Sequence, residues 1–180
     1  GQGVEALSAV SSDLCADGQS WEWDGVAFSV LHPDDTVYSA TNNRSCVLKI
    51  RGGGGSVLIS GDIEKKVESR LLRQHGEDLA ADILIAPHHG SKTSSGPRFI
   101  DAVSPRIVIF AAGYRNRYKF PAAQVLRRFI SQGADMHISG HAGAISAVIH
   151  PLNGISSVER YRQSRGKYWN HRLPELRQDG

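Results

Sequence analysis

The chain switches between two hydrophobic periods, and the switches mark its elements. From Trp21 to Leu31, WEWDGVAFSVL alternates bulky apolar and polar residues on either side of Asp24-Gly25, which predicts two short strands joined by a tight turn. A polar stretch, HPDDTVYSATNNR, follows. SCVLKI and SVLISGD then flank glycines 52–55. Four consecutive glycines can form a linker, but the β-branched flanks favour a flexible hairpin tip. Between Asp62 and His75 the period becomes helical, with Ile63, Val67, Leu71 and Leu72 on one stripe and Gly76 as the stop. ADILIAP and PRIVIFAAG are continuous apolar runs of the kind buried on both faces of a sheet, and a short helix is expected between them from Pro97 to Val103. Pro121 is expected in the first turn of a helix, AAQVLRRFISQG, that exits at Gly133. ADMHIS, GAISAVIH and GISSVERY read as three more strands. Strand–helix alternation in the middle, with hairpins at both ends, predicts an α/β layered fold.

Bulk properties narrow this picture without changing it. A chain of 180 residues, 40% apolar and 22% charged, is long enough for one domain with its own core. No apolar run approaches the roughly 18 residues that span a bilayer. The opening GQGVEALSAV has neither a basic start nor an apolar stretch, so the chain reads as soluble, its first residues resembling the middle of a longer sequence. A net charge of +3 permits a polyanionic partner without demanding one. From Val158 to Gly180, six basic residues (Arg160, Arg162, Arg165, Lys167, Arg172, Arg177) stand against three acidic ones (Glu159, Glu175, Asp179), a surplus equal to that of the whole chain. This tail, with Tyr161, Tyr168 and Trp169 interspersed, is expected to be partly ordered. Cys15 and Cys46 are too few and too far apart for a zinc ribbon or a redox motif.

Two segments carry candidate chemistry. Asp62, in SGD at 60–62, sits where an apolar strand gives way to a helix; by itself it reads most simply as an N-cap. PHHGSKTSS at 87–95 also follows an apolar strand, and in open α/β sheets ligands gather beyond the carboxyl ends of strands. The bland reading of that loop is an exposed polar turn. Together, a carboxylate and imidazoles at two strand ends make half of a metal site, since zinc-like metals accept both donor types. Adjacent histidines in an extended segment do not normally both face one ion, so one of His88 and His89 is expected to ligate and the other to face substrate or a partner that supports the ligands. His32 and His75 read as surface residues, and His137, His141, His150 and His171 form no ligand set. Ser91, Thr93 and Ser94 lack the nucleophile-elbow context of a serine hydrolase.

At these residues the chain closely resembles the metallo-β-lactamase-like domain of the ComEC family of competence proteins. The resemblance rests on TNNRSCVLKI, VLISGDIEKKVE, ADILIAPHHGSKTSS, FIDAVSPRIVIFAAGYRNRYKFPAAQVL and GAISAVI, with WEWDGVAFSVLHP similar to the proteobacterial branch. It implies an α/β, metallo-β-lactamase-like αββα sandwich. The sandwich is expected to be incomplete, because the family's histidine-x-histidine-x-aspartate-histidine motif would fall upstream of residue 1. Residues 1–160 would be the C-terminal portion of that domain and 161–180 the basic tail. The family's bridging carboxylate falls on Asp62 and its late histidine within His88-His89, with His89 as the ligand and His88 as a phosphate contact. Asn43 and Ser45 match a segment near the site. Members commonly carry histidine in the stretch matching Lys119-Phe120-Pro121, where this chain has Phe120.

The function so implied is metal-dependent phosphodiester hydrolysis of DNA during natural transformation, degrading the strand that is not transported. Asp62, His88 and His89 would be catalytic. His88, Ser91, Lys92, Arg115 and Arg117 would bind substrate. Two divalent ions, zinc or manganese, would serve the complete domain, and none would be held by residues 1–180 alone, which would then be inactive. DNA, the membrane-channel portion of the same polypeptide and other competence proteins would be partners, at the periplasmic face of a bacterial inner membrane. That oxidising setting makes a Cys15–Cys46 bridge plausible. The rivals are hydrolysis of a smaller phosphoester and a non-catalytic DNA-guiding module.

Overall fold

The computed structural model describes residues 14–166. Seven strands form one sheet in the order β1 (Ser20–Trp23), β2 (Val26–His32), β3 (Val47–Gly52), β4 (Gly55–Ile59), β5 (Ile83–Ile85), β6 (Ile107–Phe110) and β7 (Asp135–Ile138). The first four pair antiparallel through hairpins, and from β4 to β7 the pairing is parallel. The parallel crossovers are α1 (Lys65–Gln74), α2 (Pro97–Val103) and α3 (Ala123–Gln132). After β7 come a short turn of helix, α4 (Ser139–Ala142), a separate hairpin of β8 (Ile145–His150) and β9 (Gly154–Arg160), and α5 (Tyr161–Ser164). The α/β expectation therefore holds, and every expected strand and helix is present. Of the expected two-sheet sandwich, the described residues contain one sheet, one helix layer and the hairpin. None of the described helices is long and apolar enough to cross a membrane.

Alternation along the strands divides the sheet into two unlike faces. Leu58, Leu84, Val108 and Phe110 point toward the helices and form one buried cluster with Ile63, Val67, Leu71, Phe99, Ile100, Val125 and Phe129. The opposite face is apolar as well. Ile59, Ile85 and Ile109 lie in register across it, as do Val57, Ile83 and Ile107. The hairpin lies against one end of this face, where Gly55 would meet Ile149 Cγ2 at 3.3 Å if it bore a Cβ. Gly54 packs still closer: a Cβ there would lie 1.9 Å from the His150 carbonyl oxygen. The glycine run is thus a hairpin tip, and its composition is explained by the second hairpin seated on it rather than by flexibility alone.

Several local expectations need correcting. His32 is 1% exposed, its Nε2 2.9 Å from the Asn43 carbonyl, and His75 is half-buried with Nε2 3.1 Å from the Leu31 carbonyl; neither is a surface residue. Pro121 is not in the first turn of α3, which begins two residues later; the Ala122 amide donates instead to the Gly90 carbonyl at 2.9 Å. Of the tail, residues 161–166 are among those described. Within it, Arg162 donates to the Gly140 carbonyl and Arg165 lies over the Tyr161 ring. Lys167, Tyr168, Trp169, His171, Arg172 and Arg177 lie outside the described residues. Cys15 and Cys46 form a disulfide with Cα atoms 5.9 Å apart, inside the roughly 7 Å that permits a bridge.

Candidate functional site

Asp62 and His89 project from the loops that follow β4 and β5, which are neighbours in the parallel half of the sheet. Strand ends of this kind place loops side by side, so two residues 27 positions apart meet: His89 Nε2 is 3.4 Å from Asp62 Oδ1. Both side chains remain 40–45% exposed, which leaves the pair open to a ligand.

The loop carrying Asp62 is fixed from the Thr41–Arg44 turn. The Asp62 amide donates to Ser45 Oγ at 3.1 Å, and the Glu64 amide donates to Asn43 Oδ1 at 2.9 Å. Gly61 makes the approach possible. It has a φ of +53°, and a Cβ there would lie 2.7 Å from Ser45 Cβ. Asp62 is not an N-cap. The helix begins at Lys65, preceded by Glu64 without a side-chain cap, and the Lys65 amide donates to the Thr93 carbonyl at 3.0 Å. The first amide of α1 is thus satisfied by the other site loop, and the Asp62 carboxylate caps none of them.

The loop carrying the histidines is not extended. His88 and His89 both adopt left-handed conformations, with φ of 49° and 55°, which is costly for non-glycine residues and recurs at functional sites. The turn splays the two rings: their centroids are 6.3 Å apart at 64°. His89 faces Asp62. His88 is held on both ring nitrogens, Nε2 3.2 Å from Asn42 Nδ2 and Nδ1 3.2 Å from Thr93 Oγ1, with Glu64 Oε1 at 3.7 Å. The two histidines therefore face different partners, separated by a left-handed turn instead of strand alternation.

The other expected site residues are distributed unevenly. Ser91 is buried and its hydroxyl is 3.1 Å from that of Thr93, so it shapes the loop and does not face solvent. Lys92 is exposed near the loop tip. Arg115 and Arg117 are exposed on the loop between β6 and α3, stacked over Tyr114 and Tyr118. Asn42, Glu64 and Glu68 are not singled out in the sequence, and Thr93 stands out there only as a discarded nucleophile. Glu68 is 2% exposed, and its carboxylate accepts the Ser95 and Gly96 amides, tying α1 to the end of the histidine loop. Burial pushes its pKa up to about 7, against the opposing pull of those amides, Lys65 and Arg128. One signal was readable: a carboxylate inside the apolar stripe of Val67, Leu71 and Leu72.

As a donor set, a carboxylate oxygen and an imidazole nitrogen facing each other suit a borderline divalent ion. Two donors are fewer than the three a protein site ordinarily supplies. Among the described residues no group of three or more histidine, cysteine, aspartate or glutamate side chains is placed to hold an ion. The pair fits a metal as part of a larger ligand set.

No family model matches the chain. Among solved structures, the backbone is similar to that of a candidate metal-dependent hydrolase from Parabacteroides distasonis (16% identity, TM-score 0.47, covering 69% of this chain and 56% of that one). It is also similar to a candidate zinc-dependent hydrolase of the metallo-β-lactamase superfamily from Thermotoga maritima (16%, TM-score 0.40, 67% and 68%). Sequence relatives are nearer. Competence protein ComA of Neisseria gonorrhoeae is 38% identical over 73% of this chain and 19% of its own length. Recombination protein 2 of Haemophilus influenzae is 39% identical over 64% and 14%, and ComE operon protein 3 of Bacillus subtilis 39% over 56% and 13%. The chain spans less than a fifth of the length of these relatives. Over the stretch it shares with them, it belongs to the ComEC family of competence proteins.

Proposed function

We propose that this chain supplies part of a metal-dependent site that hydrolyses phosphodiester bonds of DNA during DNA uptake. One observation carries the reading: a carboxylate and an imidazole from adjacent parallel strand ends face each other at 3.4 Å, and both remain open to solvent. Asp62 and His89 would hold divalent ions, zinc or manganese, with further ligands from outside residues 1–180. When bound, such ions lower the pKa of water and offset charge on phosphoryl oxygens. Ser45 and Asn43 hold the Asp62 loop, so the carboxylate is preset before any ion arrives. His88, steadied by Asn42 and Thr93, would meet a phosphate oxygen beside the pair. Lys92, Arg115 and Arg117 are exposed cations within the two loops and suit a polyanionic strand.

The named relatives are competence and recombination proteins, which supports DNA as the substrate; in this reading the strand not transported is its target. The Cys15–Cys46 disulfide supports an oxidising compartment, such as the periplasmic face of an inner membrane. The partners in this reading are DNA, a membrane-channel portion of the same polypeptide and other competence proteins. The test is cleavage of labelled single-stranded DNA by the whole protein in zinc or manganese. Asp62→Ala and His89→Ala should each reduce the rate by more than the roughly 10–100-fold typical of outlying metal-site partners. Cleavage indifferent to both substitutions contradicts the reading. Cleavage confined to small phosphoesters, or none at all with DNA binding intact, selects the corresponding rival.

A further inference from the structure

The loop between β6 and α3 interleaves aromatic and cationic residues: Tyr114, Arg115, Arg117, Tyr118, Lys119 and Phe120. Five of the six are exposed, and Phe120 is half-buried. Tyr118 stacks on Phe120 with centroids 5.5 Å apart at 20°, and Phe120 meets the His88 ring edge-on at 5.9 Å. This row of rings ends one residue from the Asp62–His89 pair. Arg117 lies 4.6 Å over the Tyr118 ring and Arg115 5.2 Å over Tyr114. Solvent-exposed aromatic rings with guanidiniums beside them are the pattern that grips unpaired bases along a phosphate backbone.

The loop is also preformed. Asn116 clamps it from within: its Oδ1 accepts the Phe120 amide at 2.9 Å, and its Nδ2 donates to the Phe120 carbonyl at 2.7 Å and the Gly113 carbonyl at 3.0 Å. Arg115 and Lys119 are held at φ of 50° and 55°, a conformation side chains rarely adopt without support. A loop that only needed to connect β6 to α3 has no use for exposed rings in a strained, clamped arrangement.

We propose that Tyr118 and Phe120 form a stacking platform for an unpaired base of single-stranded DNA next to the bond presented to Asp62 and His89, with Arg115 and Arg117 taking the flanking phosphates. The proposal rests on the hydrolytic reading for the identity of that bond. Its selectivity has a simple cause: in a duplex the base faces are already stacked on each other, so only an unpaired base can offer one to Tyr118. A bound phosphate competes for the Arg117 guanidinium, and the ring surface it leaves becomes available to the base. Tyr118 is 60% exposed even with Arg117 over it.

The experiment is fluorescence anisotropy with the whole protein in chelator, so that nothing is cleaved. The probes are a labelled single-stranded oligodeoxynucleotide, the same strand with abasic sites, and its duplex. The normal strand should bind roughly tenfold more tightly than the abasic strand, in line with the gain from stacking one base. Tyr118→Ala should bring the two to parity, while Tyr118→Phe keeps the difference. Equal binding of normal and abasic strands by the unaltered protein, or a preference that survives Tyr118→Ala, overturns the platform. Tyr118 is exposed and outside the core, so its replacement leaves folding intact. If the base preference stands but Asp62→Ala does not affect cleavage, the hydrolytic reading fails and the platform remains. The reverse pattern removes the platform alone.

Discussion

Asp62 and Glu68 are carboxylates six residues apart whose roles are set by their surroundings. Asp62 lies in a loop held by backbone amides on Ser45 and Asn43, while Glu68 is buried with two amides of the histidine loop on its oxygens. Removing the Ser45 hydroxyl leaves the Asp62 amide without its partner, so Ser45→Ala should weaken metal binding about 10–100-fold with little effect on stability. Metal titration of the whole protein measures the first and thermal unfolding the second. Glu68 is a matter of linkage. Its pKa rises from 4.5 unfolded to about 7 folded, so the folded chain binds that proton more tightly. The contribution is complete below 4.5 and is lost as pH rises through 7, a change of about 3 kcal/mol. Glu68→Gln should flatten that part of the stability–pH curve, measured by denaturant melts between pH 4.5 and 8. At this scale Asp62 and the histidine pair were legible as residue types beyond strand ends. The left-handed turn that splays His88 from His89 was not, because nothing in PHHGS distinguishes it from an extended segment. Nor was the burial of His32, which depends on a carbonyl eleven residues away.

Among the elements, hydrophobic period located the nine strands and three crossover helices of the described residues, because strand alternation and helical stripes are both local. Start points depended on distant partners. α1 begins at Lys65 and not Asp62 because Asn43 and the Thr93 carbonyl take the amides that would otherwise call for a cap. The glycines at 52–55 were ambiguous for the same reason, since the β8–β9 hairpin that packs on Gly54 is about a hundred residues away in sequence. Gly54→Ala should therefore cost about 1–3 kcal/mol through overpacking, more than a replacement at an open turn, as urea unfolding would show. The Cys15–Cys46 bridge closes a loop with a sequence separation of 31 and ends beside Ser45. Cys46→Ser should destabilise the fold by about 3–4 kcal/mol on the chain-entropy model. Loss of stability without any change under reducing agent would show that the thiols, not the bridge, matter.

For the molecule as a whole, the two faces of the sheet set the problem. One is sealed by α1, α2 and α3, whereas on the other Ile59, Ile85 and Ile109 run toward the same strand ends as the site. The β8–β9 hairpin lies against one end of that face, where Ile83 and Ile107 are buried, but Ile59 remains 36% exposed. The partly open row of Ile59, Ile85 and Ile109 suits another layer. Residues 1–180 alone should self-associate with rising concentration in sedimentation, and Ile59→Lys should suppress it. The ligand count points the same way, since the facing Asp62 and His89 alone offer fewer donors than a protein metal site ordinarily supplies. The most direct test is metal content after gel filtration, by elemental analysis, of the whole protein, its Asp62→Ala variant and residues 1–180. Stoichiometric zinc or manganese is expected in the whole protein, with a loss of at least one ion on Asp62→Ala and no retained ion in residues 1–180. Stoichiometric metal in residues 1–180 that Asp62→Ala abolishes, or whole-protein metal indifferent to Asp62→Ala, would contradict that expectation.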